Sequence, residues 1–442
     1  MDLLVLAAMA VSTGVGALRL WLARHRASAW EQVARELGLR LRGTARSGLE
    51  LTGRIGEWSV TVTESRGERR SARTEFRIDG RGIPRQLSLS RERLFSQGLD
   101  IPIGDAEFDR EICVQNGELK ALAVLNGATR SIVRDVFARR EVTVRVGAIQ
   151  HAVGRWMKEA AELRSCLEDL VRLAGSLVLL PGEVPERLAR NAASDDLDSV
   201  RLRNLEVLHR RFQGTEIARE AFLKAVEDRS LEVRLAGGVY LGDLKLLARL
   251  AGIETVDVSI RLRALRHLVD AADAEQTGPL LERLLSTPVP LLLKGVVAGI
   301  RQLRYRPAVP KLIVLLGRAD AETARATAET LGRIGDASAE PALLSLLERG
   351  EKAVQIAAAR ALGQVGTVQA VESLLAQTPG LLDSELKRAA REAVGAIQAR
   401  LGNAECGRLS LAGLAANGGA LSLGREEAGA LSFEEEGPSA EV

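Results

Sequence analysis

RATAETLGRIGDASAEPALLSLLERGEKAVQIAAARALGQVG, from Arg325 to Gly366, decides how the chain is to be read. It holds one complete helix–turn–helix unit and the second helix of the unit before it. Leu331-Gly332 and Leu362-Gly363 are one landmark repeated after about 31 residues, and Pro310 and Pro341 keep the same interval. A period of this size marks a stacked array, because a single helix pair cannot bury its apolar face alone.

Within a unit, the first helix opens on proline: Pro279 in PLLERLL, Pro310 in PKLIVLL and Pro341 in PALLSLL. Proline suits a first helical position, where its missing N–H would have no partner anyway. The leucines that follow recur at three- and four-residue spacing and form one apolar stripe. In the second helix, Val354, Ala358, Ala361, Leu362 and Val365 share a face. Leu362 is therefore predicted to be buried between neighbouring repeats. The glycine after the leucine is read as a residue near the helix C-terminus, where left-handed backbone is common.

The phrases LGRIGD and LGQVG, each closing an Ala-rich helix, resemble the HEAT-like repeats of the phycobilisome-lyase type. Sliding the template back puts the landmark apolar residue at Leu208, Leu241, Leu268, Ile300, Leu331, Leu362 and Val394. The expectation is an α-solenoid of about seven HEAT-like repeats over residues 185–402. A basic residue follows the first apolar residue of many second helices (Arg201, Arg234, Arg261, Lys294, Lys387), and Asp196, Asp228 and Asp257 stand in the preceding turns. One reading is an ion pair that fixes each turn. The other is a basic stripe for an acidic partner or nucleic acid, with Arg201, Arg234 and Arg261 as the candidate contacts.

Aromatic residues make up only 3% of the chain, which suits cores that close on alanine and leucine. The net charge of +3 is small for a dedicated nucleic-acid binder. Cys113, Cys166 and Cys406 are far apart, without the spacing of a disulfide framework or a zinc site.

Residues 3–23 are apolar apart from Arg19, long enough for a bilayer core of roughly 30 Å. Arg19, Arg24 and Arg26 follow the run, so the positive-inside rule predicts a single-pass anchor over residues 1–26 with the body cytoplasmic. Ala8, Ser12 and Gly16 form a small-residue face through which such helices could self-associate.

Residues 27–150 predict an α+β domain with a mainly antiparallel sheet. A short amphipathic helix runs from Trp30 to Leu37. Strand-like segments follow at Leu49–Ile55, Trp58–Thr63, Thr74–Ile78 and Gln86–Leu89, with WSVTVT and EFRI showing half-buried alternation. Another strand near Glu111–Gln115, a helix over Leu119–Ala138 and a strand at Val142–Val146 complete the expected order. FDREICVQNG (Phe108 to Gly117), then the helix, then EVTVRVGAI resembles an uncharacterised bacterial domain family found beside membrane anchors; the resemblance implies no activity. Asp105 and Asp109, four residues apart, are read as a cation or acid/base pair, or as a capped turn. Residues 151–184 predict a connecting helix and a Pro/Gly break, LPGEVPE.

From residue 403 the composition is acidic and rich in Gly and Ala, which predicts a tail that does not fold by itself. GRLSL, GALSL and GALSF recur in it, with Leu421 and Leu431 as candidate partner-binding anchors.

None of His25, His151, His209 and His267 is followed by glutamate, so the His-Glu iron ligands of HEAT-like deoxyhypusine hydroxylases are missing. Trp156, the last tryptophan, precedes the array, which disfavours the aromatic groove of HEAT-like DNA glycosylases. No Walker loop, GxSxG elbow or dinucleotide fingerprint occurs. No cofactor, metal or catalytic residue is expected. The leading reading is a membrane-anchored cytoplasmic scaffold that binds a protein through the array, and not an enzyme. The runner-up is an enzyme or chromophore-handling factor of the bilin-lyase class; nucleic-acid binding by a basic array face comes third.

Overall fold

A computed structural model describes residues 21–66, 72–92, 100–377 and 385–402, together with 409–410 and 422–423. The chain divides into two compact units at Leu246 and Leu247.

The first unit begins with helix α1 (21–37). Trp30 and Val33 on its inner face are wholly buried, and the Trp30 indole donates to the Met157 carbonyl at 3.1 Å. Arg26 on the same helix is buried too, paired with Glu64 at 3.2 Å and lying 4.2 Å over the Trp156 ring. This helix is amphipathic and packs on protein. No helix among the described residues is long and apolar enough to cross a membrane. The transmembrane helix expected over residues 1–26, the membrane contact through residues 3–23 and the single-pass location are corrected accordingly. Residues 1–20, with Ala8, Ser12 and Gly16, lie outside the described residues. The fold class is a mostly helical solenoid with an N-terminal antiparallel sheet region.

The sheet comprises β1 (Arg40–Thr44), β2 (Gly48–Ile55), β3 (Trp58–Arg66), β4 (Ala72–Asp79), β5 (Ser88–Arg91), β6 (Ile112–Gln115), β7 (Val142–Arg145) and β8 (Ala148–Val153). Its order is β1-β2-β3-β4-β8-β7-β5-β6, with antiparallel pairing throughout. Alternation sends Val60, Val62, Phe76, Ile78, Val144 and Ile149 to one face, where they are buried. There they share a core with α1 and with α2 (Ala106–Glu111), α3 (Glu118–Val124), α4 (Gly127–Arg139) and α5 (Ala160–Ser176), through Phe108, Leu122, Phe137, Leu163 and Leu167. The opposite face carries Ser59, Thr61, Thr63, Arg77 and Gln150.

Several elements depart from the sequence reading. The edge strand β1 is mostly exposed and so shows no alternation. The strand expected at Val142–Val146 is the first arm of a hairpin, turning at Val146-Gly147 between β7 and β8. Valine hides that turn, because a β-branched residue at φ 52° is a poor turn former. The helix expected over Leu119–Ala138 is two helices, divided where Asn126 accepts a 2.9 Å bond from the Thr129 amide and caps α4.

Helix pairs follow in the same unit: α6 (Val184–Ser194) with α7 (Asp198–Phe212), and α8 (Glu216–Ala225) with α9 (Leu231–Leu241). Helix α6 packs on α3, with the Asn191 amide donating to the Leu122 carbonyl at 2.8 Å. The first pair is thus built into the sheet region's core, although a linker was expected before it.

Helix α10 (Leu244–Gly252) runs across the division. The second unit then alternates first helices α12 (Ala274–Leu284), α14 (Val309–Leu316), α16 (Glu340–Arg349) and α18 (Val368–Ala376) with second helices. These are α11 (Val258–Ala271), α13 (Pro290–Leu303), α15 (Ala321–Ile334), α17 (Lys352–Val365) and α19 (Glu385–Gly402). Each second helix packs on the next. Of the landmark residues, Leu208, Ile300, Leu331 and Leu362 are fully buried, and Leu268 and Val394 nearly so. Leu241 is half-buried. Pro310 and Pro341 lie in the first turns of α14 and α16, whereas Pro279 lies inside α12, which starts earlier behind an Asp273 cap.

The landmark glycine is not a helix terminator. Gly332 is interior to α15, and a Cβ there would come within 2.8 Å of Ala361 Cα on α17; the left-handed cap is Gly335, at φ 79°. Gly363 faces Ala393 in the same way. Glycine at this position lets two helix backbones approach. Gly332→Ala should therefore destabilise the second unit by about 1–3 kcal/mol through overpacking, outweighing the gain in helix propensity of about 1 kcal/mol. Gly395→Ala, in open space on α19, should stabilise it by a few tenths up to about 1 kcal/mol. Urea titration of the two variants by far-UV circular dichroism separates these signs; equal shifts would refute the close-approach role.

Candidate functional site

The basic residues of the repeat register do not form an accessible stripe. Arg201 is 2% exposed, and its guanidinium bonds both Asp228 carboxylate oxygens at 2.8 and 2.9 Å and the carbonyls of Asp195 and Asp196 at 2.7 and 3.1 Å. It ties the start of α7 to the turn before α9, which is the ion-pair reading of the motif. Arg261 is 3% exposed and donates to the Ala251 carbonyl at 3.1 Å. Asp257 caps α11 by accepting from the Ser259 amide at 2.8 Å. Arg234 is half-buried. The Arg201 guanidinium is desolvated and committed to protein oxygens, and Arg261 is buried, so neither presents an open guanidinium to a phosphate. Lys294 reaches Glu322 on the next second helix, and Lys387 is 8% exposed.

Leu421 and Leu431 lie outside the described residues. In the tail, Leu409–Ser410 and Ser422–Leu423, from the first two L-S-L phrases, pair antiparallel with each other.

The exposed charge of the second helices lies elsewhere. Arg266 on α11 and Arg325 and Arg333 on α15 are exposed. Acidic groups on these helices are largely engaged: Glu322 with Lys294, Glu329 with Arg301 at 3.0 Å, Glu385 with Arg360 at 2.9 Å. Arg266 and Arg333 have no ion pair among the described residues. Position in the repeat does not single them out, because the register marks buried residues and leaves solvent-facing ones free to vary.

The carboxylates of GDAEFD form a capped turn. Asp105 accepts from the Glu107 and Phe108 amides at 3.2 and 3.1 Å, and from Arg130 at 2.8 Å. Burial alone would push its carboxyl up, but these hydrogen bonds hold it below the ordinary range. Asp109 accepts from the Ile103 and Gly104 amides, and burial pushes its carboxyl up.

Folding also gathers Glu92, Asp100 and Cys113, whose ligand atoms lie within 4.8 Å of one another. Their separation in sequence concealed them. Burial, then Asp100 and Glu92, push the Cys113 thiol up, so it is held protonated; a metal bound there would have to displace that proton. Cys166 is pushed up to about 11 by burial, despite Arg140 at 2.6 Å from its sulfur. It is a poor nucleophile. His209 stacks on Tyr240 with ring centroids 4.2 Å apart, and Phe222 packs beside them. This aromatic cluster is a packing device in the first unit.

Residues 309–395 match the HEAT-repeat family. No curated protein matches the chain. Among solved structures, the chain is similar to the CpcE–CpcF complex of phycocyanin lyase from Nostoc sp. PCC7120, at 25% identity over 42% of this chain and 78% of that one, with a TM-score of 0.29. It is also similar to a designed armadillo repeat protein in complex with the peptide (KR)4, at 18% identity over 49% of this chain and 100% of that one, TM-score 0.27. Human deoxyhypusine hydroxylase in complex with glycerol is a third, at 15% identity over 49% and 96%, TM-score 0.23.

Proposed function

We propose that the chain is a binding scaffold, not an enzyme, and that it holds a protein partner on the outward side of its second helices. The observation that carries this reading is the exposed, unpaired arginine on that surface, with Arg266 and Arg333 two repeats apart. Adjacent second helices pack closely enough to present such side chains at a regular interval, and stacked repeats offer extended binding surfaces. The cleft of about 340 Å³ between the first helix pairs supports a non-catalytic role, because its lining residues Arg201 and Asp228 are already paired with each other.

Affinity capture from nuclease-treated cell extract tests the proposal, with the full chain compared with Arg266→Glu/Arg325→Glu/Arg333→Glu. The expected result is a defined protein retained by the native chain and reduced about tenfold with the variant, since reversed charge opposes an acidic partner. Equal retention by both, or retention seen only when the nuclease is left out, sinks the proposal.

A further inference from the structure

The outer face of the sheet ends in an arginine-rimmed cleft that the array reading does not use. Strand register builds it. Arg54 on β2 pairs with Ser59, Ser59 with Asp79 on β4, Asp79 with Ala148 on β8, and Ala148 with Arg145 on β7. One transverse row therefore carries arginine at both ends, roughly 19 Å apart at the usual strand spacing. The loop after β4 adds Arg81 and Arg85, and the Arg85 stem runs along Gly147 at the tip of the β7–β8 hairpin. Arg54, Arg81 and Arg85 border an open cleft of about 1000 Å³, which Glu57 and Asp79 also line.

The charges are unequal. Arg77 is satisfied by Asp79 through two 2.8 Å bonds, and Arg54 donates to the Glu57 carbonyl at 3.1 Å. Arg81, Arg85 and Arg145 are exposed and make no hydrogen bond or ion pair among the described residues. Arg81 and Arg85 share this cleft, where two unpaired guanidinium groups repel one another, and an anionic ligand relieves that repulsion. Guanidinium forks match carboxylates in bidentate geometry.

Val146 and Arg85 line both this cleft and a second, of about 600 Å³, to which Arg145 adds its guanidinium. Its side chain is 72% exposed, at φ 52°. A β-branched residue held in left-handed backbone is strained, and here the strain serves to raise an apolar side chain among the arginines.

We propose that this end of the sheet docks an acidic, extended segment of a partner protein, with its carboxylates on Arg81, Arg85 and Arg145 and an apolar side chain against Val146. Two features favour a peptide over single-stranded nucleic acid. The outward positions of β3, β4, β7 and β8 (Thr61, Thr63, Arg77, Thr143 and Gln150 among them) include no aromatic ring on which bases could stack. An exposed valine complements an apolar peptide side chain and offers a phosphate nothing.

The test is fluorescence anisotropy with the full chain and a labelled probe peptide of alternating glutamate and leucine. The same peptide with glutamine for glutamate and a labelled oligothymidine serve as comparison probes. Arg81→Gln/Arg85→Gln/Arg145→Gln should weaken the acidic peptide by about tenfold or more. Arg190→Gln/Arg211→Gln/Arg219→Gln, which removes equal charge from exposed helical positions, should leave its affinity within about twofold. Val146→Gly relieves the strained backbone, so it should weaken the peptide without loss of stability. Three outcomes overturn the proposal: no binding of the acidic peptide, an equal loss in both triple variants, or oligothymidine binding tighter than the peptide and lost with the cleft variant. The array variant of the preceding section should bind this probe like the native chain, so the two sites fail or succeed separately.

Discussion

Arg130→Met should lower the stability of the first unit by about 3–5 kcal/mol. Arg130 is 4% exposed and satisfies two acidic groups at once: Asp105 at 2.8 Å and both oxygens of Asp195 at 2.9 and 3.0 Å, with a further 2.9 Å bond to the Leu125 carbonyl. Asp105 caps α2, while Asp195 lies between α6 and α7, so one guanidinium joins the sheet region to the first helix pair. Methionine leaves the buried Asp195 and half-buried Asp105 carboxylates without that counter-charge, and their desolvation is the larger part of the expected loss. Arg130→Met/Asp195→Leu should recover part of it by removing one orphaned charge. All four tryptophans, Trp21, Trp30, Trp58 and Trp156, belong to this unit, so urea titration followed by tryptophan fluorescence reads it selectively. Acid gives a second check. The hydrogen bonds hold the folded Asp105 carboxyl below its ordinary value of 3.8, so its contribution is complete above pH 3.8 and lost as pH falls through the lower folded value. The deficit of Arg130→Met should therefore shrink in acid, where the orphaned carboxyls take up protons. A constant deficit from pH 7 to pH 3 would contradict this.

Leu362→Ala should cost about 2–5 kcal/mol in the second unit and leave the tryptophan transition unmoved. Leu362 is fully buried on α17, which packs against both α15 and α19. Its neighbours cannot close the space easily, because Ala358 and Ala361 beside it are already small. Repeat stability is a sum of local and nearest-neighbour terms, so the loosening should concentrate in α15 to α19. Amide hydrogen exchange should accelerate over residues 321–402 and remain unchanged in β2 to β4. Exchange near residues 330–400 that stays at the native rate would show that the register places Leu362 wrongly.

The sequence by itself determined the features whose cause is local. A landmark that returns after about 31 residues names Leu331 and Leu362 as core, because every repeat must bury the same face against the next. Alternation in WSVTVT and EFRI marks β3 and β4, because period two reports a strand with one side buried. Tertiary structure alone decided which partner each side chain meets. The apolar N-terminal run says nothing of α1, where Trp30 and Arg26 are held by Met157, Glu64 and Trp156, far along the chain. Arg201 reads either as a turn-fixing ion pair or as a surface charge until Asp228 from the next repeat covers it, and Gly332 reads as a cap until Ala361 packs against it. The two adjoining arginine-lined clefts draw on residues from Arg54 to Arg145, and no periodicity joins them. Local pattern records whether a position faces inward or outward. Identity of contact depends on strand order and helix stacking, which bring distant residues together at a loop-closure cost that no short window of sequence contains.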